Sequence, residues 1–198
     1  LGDFDRNGER ALLGEVRQDL VAAFLDGPFV KQRPPKSTDT WAMIDAFHDA
    51  CDAVDIDSDW TDFQLGCSPH AQPEHLNMLL ATSNATVAAC VDLALDWCGD
   101  NADASRRKHG RLRRGRYTGE LIVTGGGASN ASIMRELQQR TGVTPQTGVN
   151  LGMPPDAKEA VAFALLGAAT LDREPSNVPS ATGASRSVVL GSITPKPC

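Results

Sequence analysis

The sequence predicts a layered α/β fold. Three observations carry this: amphipathic helical segments fill the first half, a short apolar run ends on three glycines and opens a helix, and a weaker strand and another helix follow it. The 198 residues suffice for one large domain or two small ones, and 41% hydrophobic with 22% charged residues excludes a disordered or fibrous chain.

Residues 9–25 place Leu12, Val16, Leu20, Val21 and Phe24 at helical spacing, so a first helix is predicted there, ended by Gly27-Pro28. Phe29 to Thr40 reads as an extended loop stiffened by Pro34-Pro35. A second helix is expected over 41–54 with Met43, Ile44, Phe47 and Ala50 inward, then irregular chain over 55–73. A long helix over 74–98 should bury Leu76, Leu79, Leu80, Val87, Cys90, Val91 and Leu95. Glu120 to Thr124 reads as a buried strand running into Gly125-Gly126-Gly127. Ser129 or Asn130 can cap the next helix, which carries Ile133, Met134 and Leu137 and ends at Thr141-Gly142. A weak strand near 143–149, a helix from Pro154-Pro155-Asp156 to Leu171 and a final strand over 187–193 complete the pattern. There is no internal repeat.

No unbroken apolar stretch approaches 18 residues, so no membrane helix is expected, and the polar, acidic first ten residues predict no signal peptide. The chain opens on Leu1 rather than Met and is expected to be part of something longer. Five irregularly spaced cysteines favour reduced thiols and a cytoplasmic location. Net charge is −6, yet seven of the 19 basic residues fall between Arg106 and Arg116, leaving 12 against 25 acidic ones elsewhere. That surface repels nucleic acid outside one short segment.

The strongest local feature is the strand–GGGASN–helix junction. Three glycines let the backbone turn sharply and approach a flat or anionic ligand, and the following helix offers free N–H groups. The junction lacks the Gly-Lys-Ser/Thr of a Walker loop and the acidic partner of a dinucleotide fingerprint, and a plain βα turn is the competing reading. Asp156 and Glu159 read as a capping box, with Glu159 facing a cleft as the functional alternative. Val161, Ala164, Leu165 and Ala168 read as the buried face of that helix.

Weaker patterns are set aside on chemistry. Asp3 to Gly8 matches half a calcium loop, but Gly14 stands where the bidentate acid belongs. Cys67, His70 and His75 lack a fourth zinc ligand. Asn84 and Asn130 match glycosylation sequons by pattern only. Residues 106–116 read as a solvated insertion; RNA binding is the alternative, although no aromatic interleaves the cations before Tyr117.

Four segments, taken in order, resemble the C-terminal portion of the anhydro-N-acetylmuramic acid kinase family: DFDRNGERALLGEV (3–16), FVKQRPPKST (29–38), LIVTGGGASNASIMREL (121–137), and the stretch from Gly152 to Pro195. The last is the most specific, through PPDAKEA-AFA, N-PSATGA and VLG-I-P at the family's spacing; residues 43–118 share only helical character. The resemblance implies one ribonuclease-H-like lobe of the sugar-kinase/Hsp70/actin fold over 1–198, with an insertion at 101–118 and a partner lobe upstream. It implies ATP and Mg²⁺ as cofactors and phosphorylation of 1,6-anhydro-N-acetylmuramic acid, with water opening the anhydro ring, in cell-wall sugar recycling. The adenosine-binding glycines would be Gly125, Gly126 and Gly127, joined by Asn130, with Glu159 in the substrate cleft.

No residue here is assigned as catalytic, since the general base belongs upstream, and the chain alone is expected to be inactive. The expected partners are ATP and an amino sugar, with no membrane or nucleic acid; a homodimer is compatible with this. Asp39 replaces a glycine after Lys36-Ser37-Thr38, and Val149 stands where an acid is common. The open alternatives are a non-catalytic nucleotide-binding paralogue and a nucleic-acid-associated protein working through 106–116.

Overall fold

A computed structural model describes residues 5–33, 36–58, 73–98 and 119–194. The described elements are α1 (Gln18–Leu25), α2 (Pro28–Lys31), α3 (Thr40–Asp52), α4 (Pro73–Cys98), β1 (Ile122–Val123), α5 (Ala131–Thr141), β2 (Gln146–Thr147), α6 (Lys158–Leu171) and α7 (Pro179–Thr182), joined by several 3-10 turns. The described chain is thus mostly helical, with one small parallel sheet in which Ile122 pairs with Gln146 and Val123 with Thr147.

The first helix is shorter than its periodicity predicts. Residues 6–8 and 11–13 form separate 3-10 turns, and α1 begins only at Gln18. The cause lies across the fold: Gly14 touches the backbone of α4, where a Cβ would sit 1.9 Å from the Asn77 carbonyl oxygen. Arg17 N–H then donates to Thr82 Oγ1 (3.1 Å), which locks the extended entry to α1 against α4. Asp5, the would-be calcium ligand, instead accepts from the N–H groups of Arg10 and Ala11. The proline-stiffened loop likewise starts as a helical turn, α2, whose last carbonyls at Phe29 and Val30 accept from Lys36 Nζ.

The core is built from α1, α3 and α4. Leu20, Phe24, Val30, Phe47, Ala50, Cys51, Ile56 and Leu79 form one buried cluster, with the Phe24 and Phe47 rings tilted at 6.3 Å. Val21, Ala85 and Ala89 form a second. Ile44, expected inward, is partly exposed. Helix α4 buries Leu76 and Leu79 as expected, but Val87 is exposed, and Ala81, Thr82, Ala85, Thr86, Ala88 and Ala89 are buried as well. Small side chains let α1 and α5 approach α4 closely, and the threonine hydroxyls are satisfied internally, Thr86 Oγ1 donating to the Thr82 carbonyl at 2.8 Å.

By length and composition, Pro73–Leu95 could cross a membrane, contrary to the expectation from unbroken apolar runs. Thr, Ser and Asn interrupt its apolar residues without adding charge. In the fold it is the helix on which α1 and α5 pack.

Three further expectations are corrected. The buried strand at 120–124 is only two residues long, and Ile122 is partly exposed. The final strand over 187–193 makes no ladder among the described residues; Ser176 N–H donates to the Val188 carbonyl, and Val188 N–H to Asn177 Oδ1. The supposed buried stripe of α6 (Val161, Ala164, Leu165, Ala168) is exposed, because no described element covers it.

Candidate functional site

Strand β1 delivers the chain into a tight left-handed turn at Gly125 (φ +75°), a conformation glycine alone adopts freely. A 3-10 turn over Gly126–Ser129 follows, closed by Ala128 N–H to the Gly125 carbonyl (3.0 Å). Asn130 then caps α5, its Oδ1 accepting from Ile133 N–H at 3.1 Å, as the sequence predicts.

The second and third glycines have no internal reason to be glycine. Neither has a positive φ; a Cβ on Gly126 would meet nothing within 4 Å, and one on Gly127 only the tip of Ile133 at 4.0 Å. The turn therefore presents bare backbone to open space at the start of an 11-residue helix.

Two loops border this turn. Gly148–Leu151 follows β2, and a Cβ on Gly148 would lie 2.8 Å from the Met153 carbonyl oxygen and 3.3 Å from Thr124 Cγ2, so the loop sits against the end of β1. The 3-10 turn Pro155–Ala157 lies against Gly126–Ser129. Both loops that leave the strands thus emerge at the carboxyl edge of the parallel sheet, where open α/β sheets take their ligands.

Glu159 stands exposed in the first turn of α6, two residues beyond the turn that meets the glycines. The predicted capping box does not form. Ala157 is the N-cap, no side chain caps α6, and Asp156 lies inside the preceding 3-10 turn. Consecutive prolines start that turn and feed it directly into the helix, which leaves Glu159 free of a capping task. The structure thus brings the glycine turn, Asn130 and the start of α6 into one region.

Two residues behind the turn escaped the sequence reading. Asn84, midway along α4, donates from Nδ2 to Asn130 Oδ1 at 3.4 Å. Gly8 (φ +75°) presses so closely that a Cβ would lie 2.1 Å from Asn130 Oδ1. The Asn130 side chain is thus held between α4 and the N-terminal turn. The sequence marks Gly8 only within the half calcium loop and Asn84 only as a sequon, and neither pattern points to Asn130. Asp39 accepts from Ala42 N–H (2.9 Å) and caps α3. Val149 is exposed.

Among the described residues no three His, Cys, Asp or Glu gather as a metal site, and His75 Nε2 lies 2.7 Å from the Asp57 carbonyl oxygen. Cys67, His70 and the basic segment 106–116 lie outside the described residues.

The comparisons agree on one family. The model of the anhydro-N-acetylmuramic acid kinase family matches residues 110–196. The chain is 36% identical to the anhydro-N-acetylmuramic acid kinase of Streptomyces coelicolor over 97% of its own length and 41% of that protein's. Its identity to the kinase of the same name from Paraburkholderia xenovorans is 35%, over 98% of this chain and 44% of the relative. With the one from Xylella fastidiosa it is 34%, over 97% and 42%. The chain thus spans about two-fifths of the length of these curated relatives, and along nearly all of its own length it is similar to members of the anhydro-N-acetylmuramic acid kinase family.

Proposed function

We propose that this chain is the adenosine-binding, ribonuclease-H-like lobe of an ATP-dependent, cytoplasmic kinase. Its acceptor is 1,6-anhydro-N-acetylmuramic acid, phosphorylated on the 6-oxygen as water opens the anhydro ring. The observation that carries this reading is the glycine turn, where Gly126 and Gly127 leave open the space a side chain would fill. Bare backbone there lets the flat face of a nucleoside lie against the chain, and unpaired N–H groups at the α5 start favour its polar edge.

Asn130 acts as a positioning residue. Its Oδ1 is committed to Ile133 N–H and Asn84, so it fixes the turn rather than reaching outward. Glu159 would meet the sugar, a reading supported by its exposure at the α6 start beside the turn. Phosphoryl transfer is mainly positioning plus neutralisation of developing charge. The described residues gather no cluster of metal-binding side chains, so Mg²⁺ would come bound to the nucleotide phosphates and neutralise their charge.

The general base lies outside this lobe, and the chain alone binds ATP without turning over. Residues 1–198 then form one lobe, with 101–118 as an insertion in its sequence. The test pairs two measurements on the purified chain. ATP should raise its melting temperature, while ADP release with the anhydro sugar should stay at background. Turnover at about 1–100 s⁻¹, as for ordinary kinases, would place the base within this chain, and an ATP-indifferent melt would remove the nucleotide role.

A further inference from the structure

Two asparagines on α4, Asn77 and Asn84, stand two helical turns apart with fully buried Ala81 between them. Asn77 Oδ1 accepts from Arg10 Nε at 3.2 Å and so meets the N-terminal segment. Asn84 is half-buried and reaches instead to Asn130, the cap of α5 at the end of the glycine turn. Asparagine suits a helix interior poorly, because its amide competes with the backbone for hydrogen bonds. The threonines beside it direct their hydroxyls into α4 itself, Thr82 Oγ1 to the Met78 carbonyl and Thr86 Oγ1 to the Thr82 carbonyl. Asn84 sends its amide out of the helix.

The cap leaves one orientation for that amide. Asn130 Oδ1 already accepts from Ile133 N–H at 3.1 Å, so the group that meets it from α4 must be the NH2 of Asn84. Gly8 presses on the same oxygen and leaves no room for a Cβ. Asn130 is also tied to the turn through its backbone, its N–H donating to the Gly127 carbonyl at 3.1 Å. A shift of the cap therefore passes directly to the third glycine.

We propose that Asn84 is a positioning residue for the nucleotide: acting through Asn130, it holds the glycine turn in the form that takes adenosine. This rests on the kinase reading and deepens it, adding a residue 46 positions away in sequence that itself touches no ligand. Without the Asn84 bond the turn adopts its binding form a smaller fraction of the time, and apparent affinity falls by that fraction.

The test reads the rise in melting temperature of the purified chain over a series of ATP concentrations. Asn84→Ala exchanges one weak hydrogen bond for a better helix former, so without ligand it should melt within about 2 °C of wild type. Its ATP affinity should fall roughly three- to tenfold. Asn84→Asp sets an acceptor against Asn130 Oδ1 and should lose more; Asn84→Ala alone decides if that variant does not fold. Ser132 provides the control. It is fully buried beside the same cap, its Oγ makes no hydrogen bond, and Ser132→Ala should leave ATP affinity unchanged.

A second background separates positioning from packing. Asn130→Ser keeps a good helix cap but its shorter side chain does not meet Asn84. There Asn84→Ala should weaken ATP binding no further. Undiminished ATP affinity in Asn84→Ala overturns the proposal, whatever its melting temperature. A loss of the same size in the Asn130→Ser background also overturns it and makes Asn84 a packing residue. ATP-induced stabilisation of the wild type is read first: its absence fails the nucleotide reading and the proposal together, whereas failure confined to the variants removes the role of Asn84 alone.

Discussion

Gly14→Ala probes the packing that shortens the first helix. The new Cβ would lie 1.9 Å from the Asn77 carbonyl oxygen, 2.2 Å from its carbon and 2.7 Å from Met78 N, all backbone atoms of α4. No rotamer relieves this, so the gap must widen to at least 3.0 Å by moving the 11–17 segment off the helix. That displacement loosens fully buried Ala11 and strains the Arg17 N–H bond to Thr82. Overpacking costs about 1–3 kcal/mol, and immovable backbone on both sides places this case at about 3 kcal/mol. At ~2–4 °C per kcal/mol for a chain of this size, the melting temperature should fall by roughly 6–12 °C. Differential scanning calorimetry reads it, with Gly126→Ala as the control. A Cβ there meets nothing and φ is not positive, so that variant should melt near wild type or slightly above. A Gly14→Ala protein melting within about 2 °C of wild type would refute the close approach of this segment to α4.

Other outcomes follow from single residues. Arg173 holds the left-handed position (φ +59°) after α6, where Glu174 N–H reaches back to the Ala169 carbonyl; Arg173→Gly should stabilise the chain by about 1 kcal/mol in urea unfolding. Asn130→Ala removes the α5 cap and should cost about 1 kcal/mol by the same assay, with ATP-induced stabilisation weakened as the turn loosens. The hydrogen bond from Arg17 holds the exposed Asp19 carboxyl at about 2, below its ordinary value. Its contribution is therefore present above pH ~4 and is lost as pH falls toward 2. Asp19→Asn should flatten that part of the acid-unfolding curve, and salt should shrink the difference between the two proteins.

Much of the local structure was legible because local chemistry decides it. Asn130 as cap, Gly142 as the left-handed stop of α5 and Gly27-Pro28 as the end of α1 all follow from backbone needs that neighbouring residues reveal. Long-range approach was not legible. Helical spacing over 9–16 looked like helix because nothing nearby shows that Gly14 must touch Asn77. On α4 helical spacing finds buried Leu76 and Leu79 but misses the alanines and threonines, which are chosen by how closely α1 and α5 approach, and wrongly includes Val87. The α6 stripe failed for the opposite reason: its apolar pattern is real, but no described element lies against it. Within the candidate site, the glycine turn announced itself, while Asn84 and Gly8, which hold Asn130 from behind, come from segments 46 and 122 residues away in sequence.

The central claim is that the glycine turn contacts adenosine, and Gly126→Val tests it most directly. With open space around Gly126 and no positive φ, the variant should fold and melt close to wild type without ligand. Its isopropyl group would fill the space proposed for the nucleoside. ATP affinity, read as the ligand-dependent rise in melting temperature, should drop more than tenfold, a loss of about 1.4 kcal/mol or more. A variant that melts like wild type and gains undiminished stability from ATP would contradict the account and reduce the three glycines to a plain turn.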